Sequence, residues 1–288
     1  MQKKLILGFA GFLFCLNVFA WQEVFALNGP HYLKVDFLNV GQGDSAFIQT
    51  PQNHQILIDG GLTSAVSEKL SERMPFWDKD LDLVILSHPE SDHMQGLLEI
   101  LQRYKADYIL WSGVKKFTPE YDEWILILEK QKEIGAKIII AKAGQEIKAG
   151  NVLIDTLYPL EDVENKELKN TSNDTCLVSK LIFGKNSFLF TGDISSVTEK
   201  KLINNKIDLQ SDVLKVAHHG SKYSTSDIFL SAVLPRIATI SVGAKNTYGH
   251  PTPEVLQRLE KFGIKVDRTD QEGDIKFISD GNSIKQIK

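Results

Sequence analysis

Along the chain, apolar and polar positions alternate on two different scales. An almost unbroken apolar stretch runs from Leu5 to Trp21, and from Leu33 onward short apolar runs are cut by Gly, Pro and Asn. Short runs bounded in this way read as strands. They predict strands at Leu33–Leu38, Ala46–Gln49, Ile56–Ile58, Leu83–Leu86, Tyr108–Trp111, Lys137–Ile140 and Val152–Leu157. Later runs predict Cys176–Phe183, Ser187–Phe190, Val213–Val216 and Ile237–Ser241, with two short strands closing the chain. Helical spacing falls between them: Ser64–Met74 ended by Pro75, His93–Arg103, Pro119–Ile134 stopped at Gly135, Val197–Asn204, Ser226–Val233 and Pro253–Phe262. Glu161–Asn173 is polar and reads as a surface loop.

The two halves share this order of elements without any sequence repeat. That suits an α+β sandwich of two sheets with helices outside. No Ser/Gly-rich linker interrupts Leu33–Lys288, so residues 31–288 read as one domain. The 288 residues are 42% hydrophobic and 24% charged, enough for a sizeable core.

Residues 1–30 form a separate segment. Lys3 and Lys4 precede the apolar stretch, as in a signal peptide or membrane anchor. Val18-Phe19-Ala20 is a poor cleavage signal, and the stretch approaches the ~20 residues that cross a bilayer, so an uncleaved anchor is favoured. Positive charge stays on the cytoplasmic side, which predicts an extracytoplasmic domain, anchored or secreted. Cys15 and Cys176 imply no disulfide framework, and Cys176 reads as a small buried apolar residue.

The net charge of −4 gives no support to a nucleic-acid partner. Lys115, Lys116, Lys215, Lys222 and Lys245 read singly as solvated charges, although Lys215, Lys222 and Lys245 together flank the loops that carry the histidines.

Chemistry concentrates at strand ends. Val84-Ile85-Leu86 leads into Ser87-His88-Pro89-Glu90-Ser91-Asp92-His93, where His88, Glu90, Asp92 and His93 are all metal-ligand types. A helix cap at Ser87 or Asp92 would explain one of these residues, not four. Thr191-Gly192-Asp193, Ala217-His218-His219-Gly220-Ser221 and Tyr248-Gly249-His250-Pro251 each follow an apolar strand. Five of the seven histidines thus fall at predicted strand ends, where site residues of open sheets converge. His31 and His54 read as ordinary loop residues.

These stretches resemble those of the metallo-β-lactamase fold hydrolases, and more closely the extracytoplasmic hydrolase domain of the ComEC/Rec2 competence family. Phe37–Ser45, Ile56–Gly61, His88–His93, Leu189–Ile194, Ala217–Ser221, Asn246–Pro251 and Arg268–Gly273 carry the resemblance, in order. It implies a four-layer αββα sandwich and two divalent metal ions, zinc or manganese. It implies metal ligands at His88, Glu90, Asp92, His93, Asp193, His219 and His250, and catalytic roles for Asp92, His218 and His250.

The family's motif is His-x-His-x-Asp-His; Glu90 stands at its second histidine, where an oxygen ligand favours manganese or magnesium over zinc. Asp193 matches the carboxylate that bridges two metals. Asn39 stands where the resembling sequences usually carry Asp. Asn173 is a loop stabiliser or site residue, and Asp59 orients a histidine or caps a helix. Gly41, Gly43, Gly60 and Gly61 allow turns and close backbone approach.

The expected activity is metal-dependent hydrolysis of a phosphodiester, with DNA as the substrate the resemblance implies. Its rivals are hydrolysis of a small ester, lactam or nucleotide, which the acidic balance favours, and a non-catalytic module of a membrane uptake assembly. The partners implied are DNA or another phosphodiester, the membrane through the N-terminal segment, and uptake-channel proteins.

Overall fold

A computed structural model describes residues 2–28, 32–167 and 172–287, with side chains from residue 8 to 21 in the first of these. The chain divides into two units, Met1–His31 and Tyr32–Lys288. The first holds a helix, α1 (Gln2–Asn28). Among the described residues no helix is long and apolar enough to cross a membrane. The apolar stretch from Leu5 to Trp21 begins outside the described side chains. His31 and residues 168–171 of the expected Glu161–Asn173 loop also lie outside the described residues.

In the second unit, the first half runs β1 (Leu33–Phe37), β2 (Ala46–Gln49), β3 (Gln55–Ile58), α2 (Ala65–Ser71), β4 (Asp80–Leu86), α3 (Ser91–Arg103), β5 (Lys105–Trp111), α4 (Pro119–Glu133) and β6 (Lys137–Ile140). Then follow β7 (Glu146–Ala149), β8 (Val152–Tyr158), β9 (Val178–Phe183), β10 (Asn186–Phe190), α5 (Ser196–Asn204), β11 (Val213–Lys215), α6 (Asp227–Val233), β12 (Ile237–Ile240), α7 (Pro253–Lys261), β13 (Lys265–Arg268), α8 (Thr269–Glu272), β14 (Ile275–Ser279) and β15 (Ile284–Ile287). They form an eight-stranded sheet, β15-β14-β1-β2-β3-β4-β5-β6, and a seven-stranded sheet, β13-β12-β11-β10-β9-β8-β7.

Strand periodicity sets the layers. In β4, Val84 and Leu86 face α2, α3 and α4, packing with Leu70, Leu97 and Trp124, while Leu83 and Ile85 face the other sheet. In β10, Phe188 and Phe190 join the inter-sheet core, and Leu189 packs with Leu202, Phe229 and Leu259 of α5, α6 and α7. Three apolar layers therefore separate four structural ones: helix, sheet, sheet, helix. Each fully buried large side chain contributes roughly 1.5–3 kcal/mol. This is the predicted αββα sandwich.

Parallel pairings position the site. β3, β4, β5 and β6 run parallel in the first sheet, as do β10, β11, β12 and β13 in the second. Their carboxyl ends lie at one end of the sandwich. The sequence pattern missed β7, an edge strand of four residues in which Glu146 and Lys148 are exposed and the alternation offers only two apolar positions, Ile147 and Ala149. It missed α8 as well, a single turn.

Candidate metal centre

The first sheet delivers Asp44, Asp59, Ser87, His88, Asp92 and His93. β4 ends at Leu86, and α3 begins at Ser91. Asp92 and His93 therefore sit in the first helical turn, directly above the strand end. The loop carrying Asp44 is held against them: Asp44 N donates to the Asp92 carbonyl at 3.2 Å. Gly43 makes this approach available. Its φ is +114°, and a Cβ there would stand 1.9 Å from the Asp92 carbonyl oxygen.

The second sheet delivers Asp193 after β10, Lys215 at the end of β11, and His218 and His219 just beyond it. Both histidines adopt left-handed backbone, with φ of 51° and 53°. That tight turn aims consecutive imidazoles into one site, a costly conformation of the kind found at functional loops.

Asp193 is the shared member. Its Oδ1 lies 3.3 Å from His93 Nε2, while its Oδ2 lies 3.5 Å from His219 Nε2 and 3.9 Å from His218 Nε2. Asp92 Oδ2 is 3.2 Å from His219 Nε2. Asp92, His93, Asp193 and His219 offer ligand atoms all within 4.8 Å of one another. The His88 ring stacks obliquely on His93 with centroids 4.1 Å apart, and His250 meets His218 edge to face at 5.6 Å.

Behind these groups lies a supporting shell. Asp59 accepts from Ser87 N and Oγ at 2.7 Å each, and its Oδ2 is 2.8 Å from His93 Nδ1. This fixes His93 with Nε2 facing Asp193, so Asp59 orients a histidine rather than capping a helix. His219 Nδ1 donates to the Ser241 carbonyl at 2.9 Å. Asp193 N donates to Cys176 Sγ at 3.3 Å, giving the buried Cys176 a polar task beyond packing. Asn173 Nδ2 stands 3.5 Å from His218 Nδ1.

Two predicted roles are corrected. Glu90 is not brought to the cluster: its Oε1 accepts from Ser172 N at 2.9 Å and Ser172 Oγ at 2.8 Å, and its Oε2 pairs with Lys116. Its carboxylate ties the start of α3 to the loop before β9, so the oxygen-rich character of the site comes from Asp92, Asp193 and Asp44 instead. Lys215 is not a solvated charge. It is buried, ion-paired with Asp44, and its Nζ lies 3.8 Å from Asp193 Oδ1. Asp44 and Lys215 escaped notice as site members because a lone Asp after glycines and a Lys in a strand carry no ligand signature. Lys222 and Lys245 are exposed as expected.

The electrostatics favour cations. Burial works to raise the Asp193 carboxyl, but the His219 and His93 rings outweigh it and hold it well below the carboxylate range. Burial likewise opposes charge on His219, yet Asp193 and Asp44 push its pKa up to about 10. His88 and His218 go the other way; burial lowers both. Burial also opposes the charge on Lys215, and Asp44 more than restores it.

The donor set fits divalent metal. Buried His88 Nε2, His93 Nε2, Asp193 Oδ1 and Asp44 Oδ1 have no hydrogen-bond partner. Orphaned buried polar atoms are costly, and four meeting in one cluster would be satisfied together by bound cations. Imidazole nitrogen and carboxylate oxygen are ligands of zinc and manganese, and Asp193 offers separate oxygens to separate histidines. The cluster thus fits a dinuclear site.

An αββα sandwich with a His/Asp cluster across the strand ends of both sheets defines a class of metal-dependent hydrolases. The chain belongs to the Metallo-beta-lactamase superfamily, whose profile matches residues 38–244. It is 34% identical over 261 residues to the ComE operon protein 3 of Bacillus subtilis, covering 85% of this chain and 33% of that protein. It is 31% identical over 241 residues to the competence protein ComA of Neisseria gonorrhoeae, covering 83% and 31%. The chain therefore spans about a third of the length of these curated relatives. The fold matches YhfI of Bacillus subtilis with a TM-score of 0.55 at 14% identity, over 86% of this chain and 100% of that one. Igni18, a metallo hydrolase of Ignicoccus hospitalis, matches at 0.54 and 18% identity, over 85% and 98%.

Proposed function

We propose that the protein is a phosphodiesterase acting on DNA, using two divalent ions, zinc or manganese, and held by residues 1–30 on the outer side of a membrane. The observation that carries the hydrolase reading is Asp193, which turns one carboxylate oxygen towards His93 and the other towards His218 and His219. DNA is supported by the relative from Neisseria gonorrhoeae, which is named a competence protein, and by the resemblance of the motifs to the ComEC/Rec2 family.

Bound divalent ions would supply a water of lowered pKa and charge to offset the developing oxyanion. The chain's own groups do the rest. His88, Asp92, His93, Asp193 and His219 would hold the ions. Asp59 and Ser241 fix the rings of His93 and His219. His218 and His250 lie at the open side, partly exposed, and burial lowers the pKa of each. Neutral imidazoles there are suited to orienting the attacking water and the leaving oxygen. Lys222 and Lys245, exposed on the loops that carry His219 and His250, would meet phosphate oxygens in this reading.

The test uses the full chain with added manganese or zinc against single-stranded DNA, double-stranded DNA and bis(p-nitrophenyl) phosphate. Metal-dependent cleavage of DNA is expected. Hydrolysis of p-nitrophenyl acetate or nitrocefin, with no phosphodiester turned over by any metal, would assign the site to a small ester or lactam instead.

A further inference from the structure

The end of the sandwich opposite the metal centre carries an unusual turn. Pro75–Asp78 is closed by Asp78 N donating to the Pro75 carbonyl at 2.9 Å. Its two tip residues are Phe76 and Trp77, 83% and 73% exposed, packed edge to face with centroids 4.8 Å apart. Turn tips normally carry Gly, Pro, Asn, Asp or Ser, which supply turn dihedrals or hydrogen-bond the local backbone, and neither Phe76 nor Trp77 does so. Two large aromatic rings there are a solvation cost that a soluble surface does not repay.

The tip is held firmly. Gln55 Nε2 donates to Asp78 Oδ2 at 2.8 Å, and Lys105 N donates to the Lys79 carbonyl at 2.8 Å. Lys79 Nζ lies 4.5 Å from the centre of the Tyr104 ring. These contacts fasten the turn to the beginnings of β3 and β5.

Pairing registers place this end of the sheet. Lys34 pairs with Gln49, Gln49 with Gln55, and Ile56 with Leu83. The starts of β1, β3 and β4 therefore lie side by side. β1 is where the chain enters the sandwich, after Tyr32, itself 38% exposed. Three strand spacings separate β1 from β4, about 15 Å. The aromatic tip and the start of β1 thus share one end of the sandwich.

We infer that this end lies on a lipid bilayer, with Phe76 and Trp77 inserted at the boundary between headgroups and acyl chains. The inference rests on the reading of residues 1–30 as a membrane anchor. Trp is a side chain of membrane interfaces, apolar in body with an indole N–H for the headgroup region, and Phe accompanies it on the apolar face of interfacial segments. A membrane anchor joined to the chain before Tyr32 would bring the tip within reach of the same surface. Burying two aromatic rings there adds a second point of attachment and fixes the tilt of the domain. β4 carries seven residues from this end to the site, about 23 Å, so the metal centre faces away from the bilayer.

The test compares the full chain with its Trp77→Phe variant, each on phosphatidylcholine vesicles with plain or brominated acyl chains. Trp111 and Trp124 are buried, and Trp21 is common to both proteins, so the difference in emission isolates Trp77. Emission assigned to Trp77 should shift to the blue on vesicles and fall at least twofold on brominated ones. No lipid-dependent change in that difference, with Trp21 emission quenched, would overturn the inference and leave the anchor intact. No quenching of either residue would overturn both. A blue shift that grows with protein concentration without lipid would instead assign the tip to contact with a second copy. Hydrolysis of bis(p-nitrophenyl) phosphate in solution should be equal in the two proteins, which separates this test from that of the catalytic reading.

Discussion

Asp59 Oδ2 stands 2.8 Å from His93 Nδ1 and leaves His93 Nε2 facing the Asp193 carboxylate. A carboxylate behind a metal-binding imidazole fixes its tautomer and raises its basicity. Asp59→Asn should therefore keep the fold and lower affinity for manganese or zinc by about 10–100-fold. Competition with a chromophoric chelator measures it, and wild-type affinity would remove Asp59 from its orienting role.

Asp193→Ala removes the oxygens that face two sets of histidines. Bound metal should be lost by elemental analysis, and hydrolysis should fall about a thousandfold, the several kcal/mol that metal charge supplies. Circular dichroism should stay native. A variant that keeps full metal content refutes the shared-carboxylate role.

Glu90 gives the opposite expectation. Its oxygens serve Ser172 and Lys116, so Glu90→Gln should retain the wild-type metal stoichiometry. The loss falls on stability instead, about 1.5–3 kcal/mol for hydrogen bonds to a charged group. Denaturant titration and metal analysis of one preparation settle both halves. Weakened metal binding at unchanged stability would return Glu90 to the ligand set.

Lys215 and Asp44 form a buried ion pair beside Asp193. Removing one partner leaves an uncompensated buried charge, so Lys215→Met should cost about 3–5 kcal/mol. Lys215→Met combined with Asp44→Asn should cost clearly less than the two single changes added together. Additive losses in a denaturant-melt cycle would show that the pair is not coupled.

The apolar runs sufficed for most strands because the inter-sheet core demands Ile, Leu, Val or Phe at alternate positions, as in β4 and β10. They failed at β7, an edge strand with only one neighbouring strand, where Glu146 and Lys148 stay exposed and only Ile147 and Ala149 face the core. In the site, His88, His93, Asp193 and His219 were legible because each sits just past an apolar strand. Glu90 misled because the linear motif places it between ligands, whereas its partners, Ser172 and Lys116, are distant in sequence. Lys215 misled for a related reason. Its burial depends on Asp44 from the other sheet, and no local pattern announces a partner 171 positions away.

The two sheets meet along a seam of unlike construction. Hydrocarbon fills most of it, where Phe37, Phe188 and Phe277 lie among the inward side chains. At one end the hydrocarbon gives way to charge, with Asp44, Asp59, His88, Asp92 and His93 from one sheet against Asp193, Lys215 and His219 from the other. Cations gripped there would act as a rivet through both halves of the molecule. Any motion that prises the sheets apart at that end pulls the ligand sets off one another, so the site cannot open without loosening the whole sandwich.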